Sequence, residues 1–139
     1  MKVYDGGFMS SFTDKLVVSQ YSDDRWLIER EFSYYIGNSS GPYINIPVGF
    51  KTDFTSTPRI FWIFFPPAEG LHIQAAVLHD YLYEGGVIWD HGFATTCSYR
   101  EADHVFLEAM QVLKVPKWKR FILFCSVRLY SSCIKPFIN

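Results

Sequence analysis

The sequence has little of what marks several common classes of small protein. Only three of its 139 residues are cysteines, and none stands in a CxxC pair, so neither a disulfide framework nor a zinc knuckle is indicated. Its most apolar stretches are short or interrupted by a charge, which does not predict a membrane span. The first residues hold no apolar run of the signal-peptide type. We therefore expect a protein of a reducing compartment, without signal peptide or transmembrane segment.

Acidic residues are missing from the last part of the chain. All 14 lie at or before Glu108, together with seven lysines and arginines, whereas the remaining 31 residues carry six basic residues and no acid. The total charge of −1 therefore divides into −7 and +6. Either the basic segment docks on the acidic body of the same protein, or it contacts an anionic partner such as a membrane surface. We expect no specific nucleic-acid binding.

Aromatic and apolar residues are plentiful, at 19% and 49% of the chain. This content excludes a disordered protein, and the length predicts one domain over residues 1–139. Short segments rich in β-branched and aromatic residues occur at about residues 15–20, 26–35 and 43–48. They are separated by turn-forming residues, and they predict a small N-terminal antiparallel sheet.

Helical periodicity replaces the strand pattern in the second half of the chain. We predict three helices over about residues 70–84, 98–113 and 118–130, with an irregular polar segment at 87–96. Gly85-Gly86 ends the first helix, Ser98 and Glu101 form a capping box at the second, and Pro116 fits the first turn of the third. The predicted fold is α+β: the sheet, two packed antiparallel helices and a basic C-terminal helix.

A histidine and an aspartate on the two predicted antiparallel helices are the main candidate site. His79 and Tyr83 project from one face of the first helix, and Asp103 lies on the apolar stripe of the second, where an unpaired charge is costly. A carboxylate on one nitrogen of His79 fixes its tautomer and leaves the other as a general base. Asp80 points away and suits a hard cation such as Ca²⁺. Alternatively, the His–Asp pair only cross-links the helices.

A polar loop precedes the first helix, in the segment PVGFKTDFTSTPR at residues 47–59. Its functional interpretation is one wall of a site, with Asp53 as a metal ligand and with Ser56 and Arg59 binding the substrate, Arg59 through an anionic group. Its structural interpretation is a loop whose side chains bond its own backbone. In that case Asp53 caps a turn and pairs with Arg59.

Three ordered motifs together resemble a known family. They are PVGFKTDFTSTPR, AAVLHDYLY, and READHVFLEAM followed by KVPKW. The chain resembles, over about residues 43–130, a phage and prophage family known as domain of unknown function 1353. The resemblance implies a phage origin, hence a place in the host cytoplasm or the virion, and it supplies no activity.

A second resemblance is chemical. HDxxY at His79–Tyr83 and ADxxF around Asp103 resemble the catalytic pair of phospholipase A2 domains. This resemblance implies that His79 is the base that activates water and that Asp103 is the carboxylate that orients His79. It also implies that Tyr83 belongs to their hydrogen-bond network and that Asp80 binds Ca²⁺. Where those enzymes have a Gly-rich calcium loop, this sequence has the Thr- and Ser-rich loop 52–57, and the half-cystines of the secreted forms are absent.

Two further hypotheses compete with the phospholipase-like interpretation, in which the protein is a metal-assisted ester hydrolase. AAVLHD also resembles the metal-binding doublet of HD-type phosphohydrolases, with Asp103 as a later ligand. The only histidine before His79 is His72, two helical turns and roughly 10 Å away, which is too far for a shared metal. The other hypothesis is a non-catalytic virion or host-interaction protein, in which the His79–Asp103 pair is structural and the basic helix contacts a phage or host protein.

Overall fold

The computed structural model of the protein describes residues 10–22, 25–52 and 71–134. Within these ranges the chain forms eight strands and three α-helices, and a single π-helical turn, Tyr130–Ile134, continues the last helix. The strands are β1 (Ser11–Phe12), β2 (Val18–Ser22), β3 (Arg25–Ile28), β4 (Phe32–Tyr35), β5 (Tyr43–Ile46), β6 (Lys51–Thr52), β7 (Val87–Asp90) and β8 (Phe93–Thr96). The helices are α1 (Ile73–Tyr83), α2 (Tyr99–Val112) and α3 (Lys117–Leu129).

The strands form two antiparallel sheets, in the orders β1-β4-β5-β7-β8 and β2-β3-β6. The predicted strand at 26–35 is wrong in one respect, because it divides into β3 and β4, which belong to different sheets. Three consecutive charged residues, Glu29, Arg30 and Glu31, separate them and are exposed. The chain leaves one sheet there because these side chains cannot be buried on a sheet face. The α+β class is confirmed.

The polar segment 87–96 forms the β7–β8 hairpin instead of the irregular structure that we predicted. His91 and Gly92 at its tip have φ of 50° and 83°, which is the positive-φ pair of a type I′ hairpin turn. Tyr43 of β5 pairs with Trp89, so the hairpin extends the N-terminal sheet. Most of its residues are exposed, and it therefore lacks the apolar alternation by which strands are predicted.

The predicted helices α1 and α2 are confirmed in position, packing and direction. The ring of His79 contacts Phe106, and the ring of Tyr83, one turn later in α1, contacts Tyr99, earlier in α2. The two helices therefore run antiparallel. The predicted capping box opens α2, because Ser98 accepts from the Glu101 N–H and the Glu101 carboxylate accepts from Ser98.

Buried apolar residues from both sheets and all three helices form one core. It includes the predicted stripe of α2 (Ala102, Phe106, Ala109, Met110) and much of α1 (Ala75, Val77, Leu78, Leu82). A polar contact also joins α2 to the first sheet, because Glu108 accepts hydrogen bonds from the hydroxyls of Ser10 and Tyr34, the latter at 2.6 Å. The core thus fixes α2 between the sheet and the other helices.

Candidate functional site

Asp103 lies at the centre of a buried polar cluster that joins three helices. Its carboxylate is 0% exposed and accepts four hydrogen bonds. Oδ1 binds Nε2 of His79 at 2.7 Å and the Tyr83 hydroxyl at 2.5 Å. Oδ2 binds Nη1 of Arg128 at 2.8 Å and the hydroxyl of Ser131 at 3.0 Å. The predicted pairing of Asp103 with His79 and Tyr83 is present in the structure.

His79 is buried and is oriented through one of its ring nitrogens. Only 1% of the residue is exposed, and the rings of Tyr83 and Phe106 lie 4.0 and 5.0 Å from its own. Nε2 faces Asp103, and within the part of the chain that the structure describes Nδ1 has no hydrogen-bond partner. Burial lowers the pKa of His79 below 6.5, although Asp103 opposes this. The neutral ring can therefore accept a proton at Nδ1.

The electrostatics of the cluster keep Asp103 ionised. Burial alone would raise the pKa of this carboxyl, but the hydrogen bonds from His79, Tyr83 and Arg128 together hold it below 3.8. The pKa of Tyr83 is raised well above 10, by burial and by its bond to the carboxylate. Tyr83 consequently stays a hydrogen-bond donor at neutral pH. The cluster combines a fixed anion with a neutral imidazole.

Arg128 and Ser131 are members of this cluster that the sequence analysis did not identify. Arg128 was counted only as part of the basic segment, yet its side chain turns inward, and Nη2 also binds the hydroxyl of Ser132 at 3.1 Å. Its position carried a signal, because it is the one charged residue in the apolar stretch 121–130. Ser131 lies on the π-helical turn, and we found no pattern in the sequence that predicts such a turn.

Of the predicted metal-binding and substrate-binding residues, the structure describes only Asp80. Asp53, Ser56 and Arg59 are outside the described residues. Asp80 is directed away from Asp103, and its Oδ2 accepts a 2.7 Å hydrogen bond from Thr52 of β6, the last residue before the undescribed segment. Across the described ranges, no group of three or more His, Cys, Asp or Glu side chains could hold a metal ion. The Ca²⁺ site stays a prediction.

The adjacent residues His79 and Asp80 of α1 bind different partners. His79 is bonded to Asp103 and Asp80 to Thr52, whereas a phosphohydrolase doublet requires both to face one metal. The arrangement therefore resembles an oriented base more than a metal doublet. His104, next to Asp103 in sequence, points outward and bonds the Arg100 carbonyl at 2.8 Å.

The outer face of α3 carries exposed apolar side chains beside basic ones. Trp118, Phe121 and Leu129 are each more than half exposed, and their spacing of three and eight residues places them along one side of the helix. Lys117 precedes this stripe and is exposed, and Lys119 lies over the Trp118 ring at 5.5 Å. Of the helices that the structure describes, none is long and apolar enough to cross a membrane.

Comparisons with known proteins place the chain in a family without a described activity. A family model described as a protein of unknown function, DUF1353, matches residues 26–127. The uncharacterized protein y4jT of Sinorhizobium fredii (strain NBRC 101917 / NGR234) is 27% identical over 110 residues, which cover 78% of this chain and 30% of that relative. The chain thus spans under a third of the relative's length. No solved structure matches it.

Proposed function

The chain belongs to the DUF1353 family, and we propose that its His79–Asp103 pair is the proton-transfer site of an ester hydrolase acting on phospholipids at an anionic membrane. One observation carries the proposal. Nε2 of His79 is held by Asp103 at 2.7 Å, while Nδ1 has no hydrogen-bond partner among the described residues. A buried histidine fixed at one nitrogen by an ionised carboxylate has the arrangement of a general base.

The proposed reaction is addition of water to an ester. Nδ1 of His79 takes a proton from water as the oxygen attacks the carbonyl carbon, and Asp103 stabilises the imidazolium that forms. The carbon–oxygen bond to the alcohol then breaks, and the imidazolium returns the proton to the departing alkoxide. Asp80 and Asp53 are the residues proposed to hold Ca²⁺, which would supply a Lewis acid for the carbonyl.

The exposed stripe of α3 supports a membrane as the place of action. Trp118, Phe121 and Leu129 offer apolar area, and the lysines beside them favour an anionic surface. The same helix also reaches the site, since the side chain of Arg128 binds Asp103. The helix proposed to contact lipid therefore also orients the carboxylate. We further propose a phage origin, with the protein acting in the host cytoplasm or the virion.

A second candidate function is favoured by the burial of the pair. Because His79 and Asp103 are almost fully inaccessible, the reaction requires an opening that admits water and the ester to Nδ1. Without such an opening the cluster only joins α1, α2 and α3, as suits a non-catalytic virion or host-interaction protein. The two candidates differ in whether His79 can be reached when a membrane is present.

The hydrolase proposal is tested with vesicles of phosphatidylcholine and phosphatidylglycerol, by measuring fatty acid release with Ca²⁺ and with a chelator. We expect Ca²⁺-stimulated release that falls at least about 100-fold in His79→Gln, since general-base catalysis contributes on this scale. Glutamine can still donate a hydrogen bond to Asp103, so the melting temperature should change little. His104→Gln, at an exposed histidine of α2, is the matched control and should keep full activity.

Binding and access are measured on the same vesicles. Phe121→Ser should reduce co-sedimentation with anionic vesicles, whereas Phe93→Ser, at an exposed phenylalanine of the β7–β8 hairpin, should not. Diethyl pyrocarbonate should modify His79 faster when vesicles are present. If no fatty acid is released and His79 stays unreactive on the membrane, the cross-link interpretation replaces the hydrolase.

A further inference from the structure

A pocket is formed by residues of β1, α1 and the end of α2, and it shares no residue with the Asp103 cluster. Its volume is about 430 Å³, which is within the usual range for small-molecule sites. Phe12 of β1 and Val112 and Leu113 at the end of α2 contribute its apolar surface. The pocket is therefore large enough for a small organic ligand with an apolar part.

Basic side chains predominate among the charged groups of this pocket. Lys15, Arg30 and Lys114 line it, against one acid, Asp14. All four residues are exposed, and neither Lys15 nor Arg30 forms a salt bridge with any residue in the described ranges. The net charge of about +2 calls for an anion of similar magnitude, and an arginine with lysines is the usual donor set for phosphate.

Hydrogen bonds hold the walls of the pocket together. The backbone N–H of Thr13 donates to the carbonyl oxygen of Ser33, and the backbone N–H of Ser33 donates to the hydroxyl oxygen of Thr13, each at 2.9 Å. Gln74, in the first turn of α1, donates to the Asp14 carbonyl at 2.8 Å. The segment that carries Lys15 is thus fixed to both the sheet and α1, beside the same pocket that Arg30 and Lys114 line.

Lys114 occupies a backbone position that glycine normally fills. Both α1 and α2 end in the same Schellman arrangement, and the residue after the cap has positive φ in each: 89° at Gly85 and 62° at Lys114. A side chain in this conformation is disfavoured relative to glycine. The exception gives the lining of the pocket a third basic side chain, where a glycine would supply none.

We propose that this pocket binds a small organic phosphate, a phosphomonoester of an apolar alcohol. The phosphate, with a charge near −2 at neutral pH, would lie between Arg30, Lys15 and Lys114, and the apolar group would contact Phe12 and Leu113. The site is independent of the hydrolase proposal, because it uses none of the same residues.

Phenyl phosphate is the probe, and binding is measured by titration calorimetry at low salt. We expect it to bind more tightly than inorganic phosphate, which lacks the apolar group, and than phenol, which lacks the charge. Arg30→Gln and Lys114→Gln should each weaken binding about tenfold. Lys51→Gln, at an exposed lysine of β6 outside the pocket, should leave it unchanged. Absence of binding at millimolar phenyl phosphate, or equal weakening by Lys51→Gln, would overturn the proposal.

Lys114→Gly separates loss of the ligand group from loss of folding. We expect this variant to melt at a higher temperature, because the positive φ is relieved, and to bind phenyl phosphate about tenfold more weakly. Unchanged affinity in both Lys114→Gly and Arg30→Gln would contradict the site. Competition by vesicles containing phosphatidic acid supports the site with a lipid head group as the source of the phosphate. Binding of phenyl phosphate without such competition supports it with a free metabolite as the source.

Discussion

Helix α2 carries two carboxylates that join it to different parts of the molecule. Asp103 faces α1 and α3 and binds an imidazole, a phenol, a guanidinium and a serine hydroxyl. Glu108, five residues later, faces the sheet and, among the residues that the structure describes, binds the hydroxyls of Ser10 and Tyr34. Both carboxylates satisfy buried donors, as packing requires. Of the two clusters, only the one around Asp103 adds an imidazole, which burial keeps neutral, and a guanidinium that fixes the anion.

Because of this difference, Glu108 serves as a structural contact between α2 and the sheet, whereas Asp103 belongs to a candidate site. The Glu108 contacts need nothing beyond hydrogen bonding, and burial raises the pKa of Tyr34 further above its ordinary value of 10. The hydroxyls around Glu108 consequently stay protonated at all physiological pH. The His79–Asp103 pair contains an imidazole whose pKa is lowered by burial, so its contribution to stability depends on the pH below 6.5. Glu108 therefore provides an internal control for every test of Asp103.

The largest expected effect is the loss of the Asp103 charge. Asp103→Asn leaves Arg128 without its anion and sets an amide against donors, so we expect the free energy of unfolding to fall by about 3 kcal/mol. Glu108→Gln keeps an oxygen for at least one hydroxyl and should cost about 1 kcal/mol. Urea unfolding of both variants checks the comparison. Equal losses would mean that the Arg128–Asp103 contact contributes no more than a neutral hydrogen bond.

The next effect is a pH dependence of stability, which we expect from the Asp103 cluster and not from the Glu108 cluster. Because burial lowers the pKa of folded His79 below 6.5, the unfolded chain binds a proton below pH 6.5 that the folded chain does not. Stability from the neutral ring is complete above pH 6.5 and is lost as the pH falls toward the folded pKa, with a limiting slope of about 1.4 kcal/mol per pH unit.

This pH prediction is measured as the melting temperature between pH 5 and 7. The wild type should lose stability more steeply than His79→Gln, whereas Tyr34→Phe, which alters the Glu108 cluster, should keep the wild-type slope. His72, whose pKa burial also lowers, contributes equally to all three proteins. Parallel curves for wild type and His79→Gln would show that His79 has no shifted pKa.

Much of the helical part was predictable, because local chemistry determines it. A capping box, a glycine pair and an apolar stripe with one buried carboxylate place His79 and Asp103 on facing helices. Long-range pairing was less accessible. The division of 26–35 between two sheets and the β7–β8 hairpin depend on partners distant in sequence, and exposed strands lack an apolar signal.

The missed members of the site illustrate the same limit. In the sequence, Arg128 is one more positive charge in a basic segment. Its hydrogen bond to Asp103 becomes visible only when the packing of α3 is known. Ser131 joins from the π-helical turn that continues α3. Such contacts follow from how helices meet, which periodicity in one helix does not specify. The charge asymmetry remains informative, since one of the six basic residues neutralises the buried anion and others stay at the surface.

The smallest expected effect compares one serine from each cluster. Ser131 and Ser10 are both 7% exposed. Ser131 is one of four donors to Asp103, and its hydroxyl lies 3.4 Å from Nη1 and 3.3 Å from the carbonyl oxygen of Arg128. Ser10 is one of two described donors to Glu108 and accepts a shorter hydrogen bond, of 2.7 Å, from the Gly37 N–H. Ser131→Ala should therefore cost about 0.5 kcal/mol and Ser10→Ala about 1.5 kcal/mol of unfolding free energy. Ser132→Ala, at the exposed neighbour, should be neutral. The reverse order would mean that the donors to Asp103 act as one cooperative network, in which each hydroxyl is worth more than a single hydrogen bond.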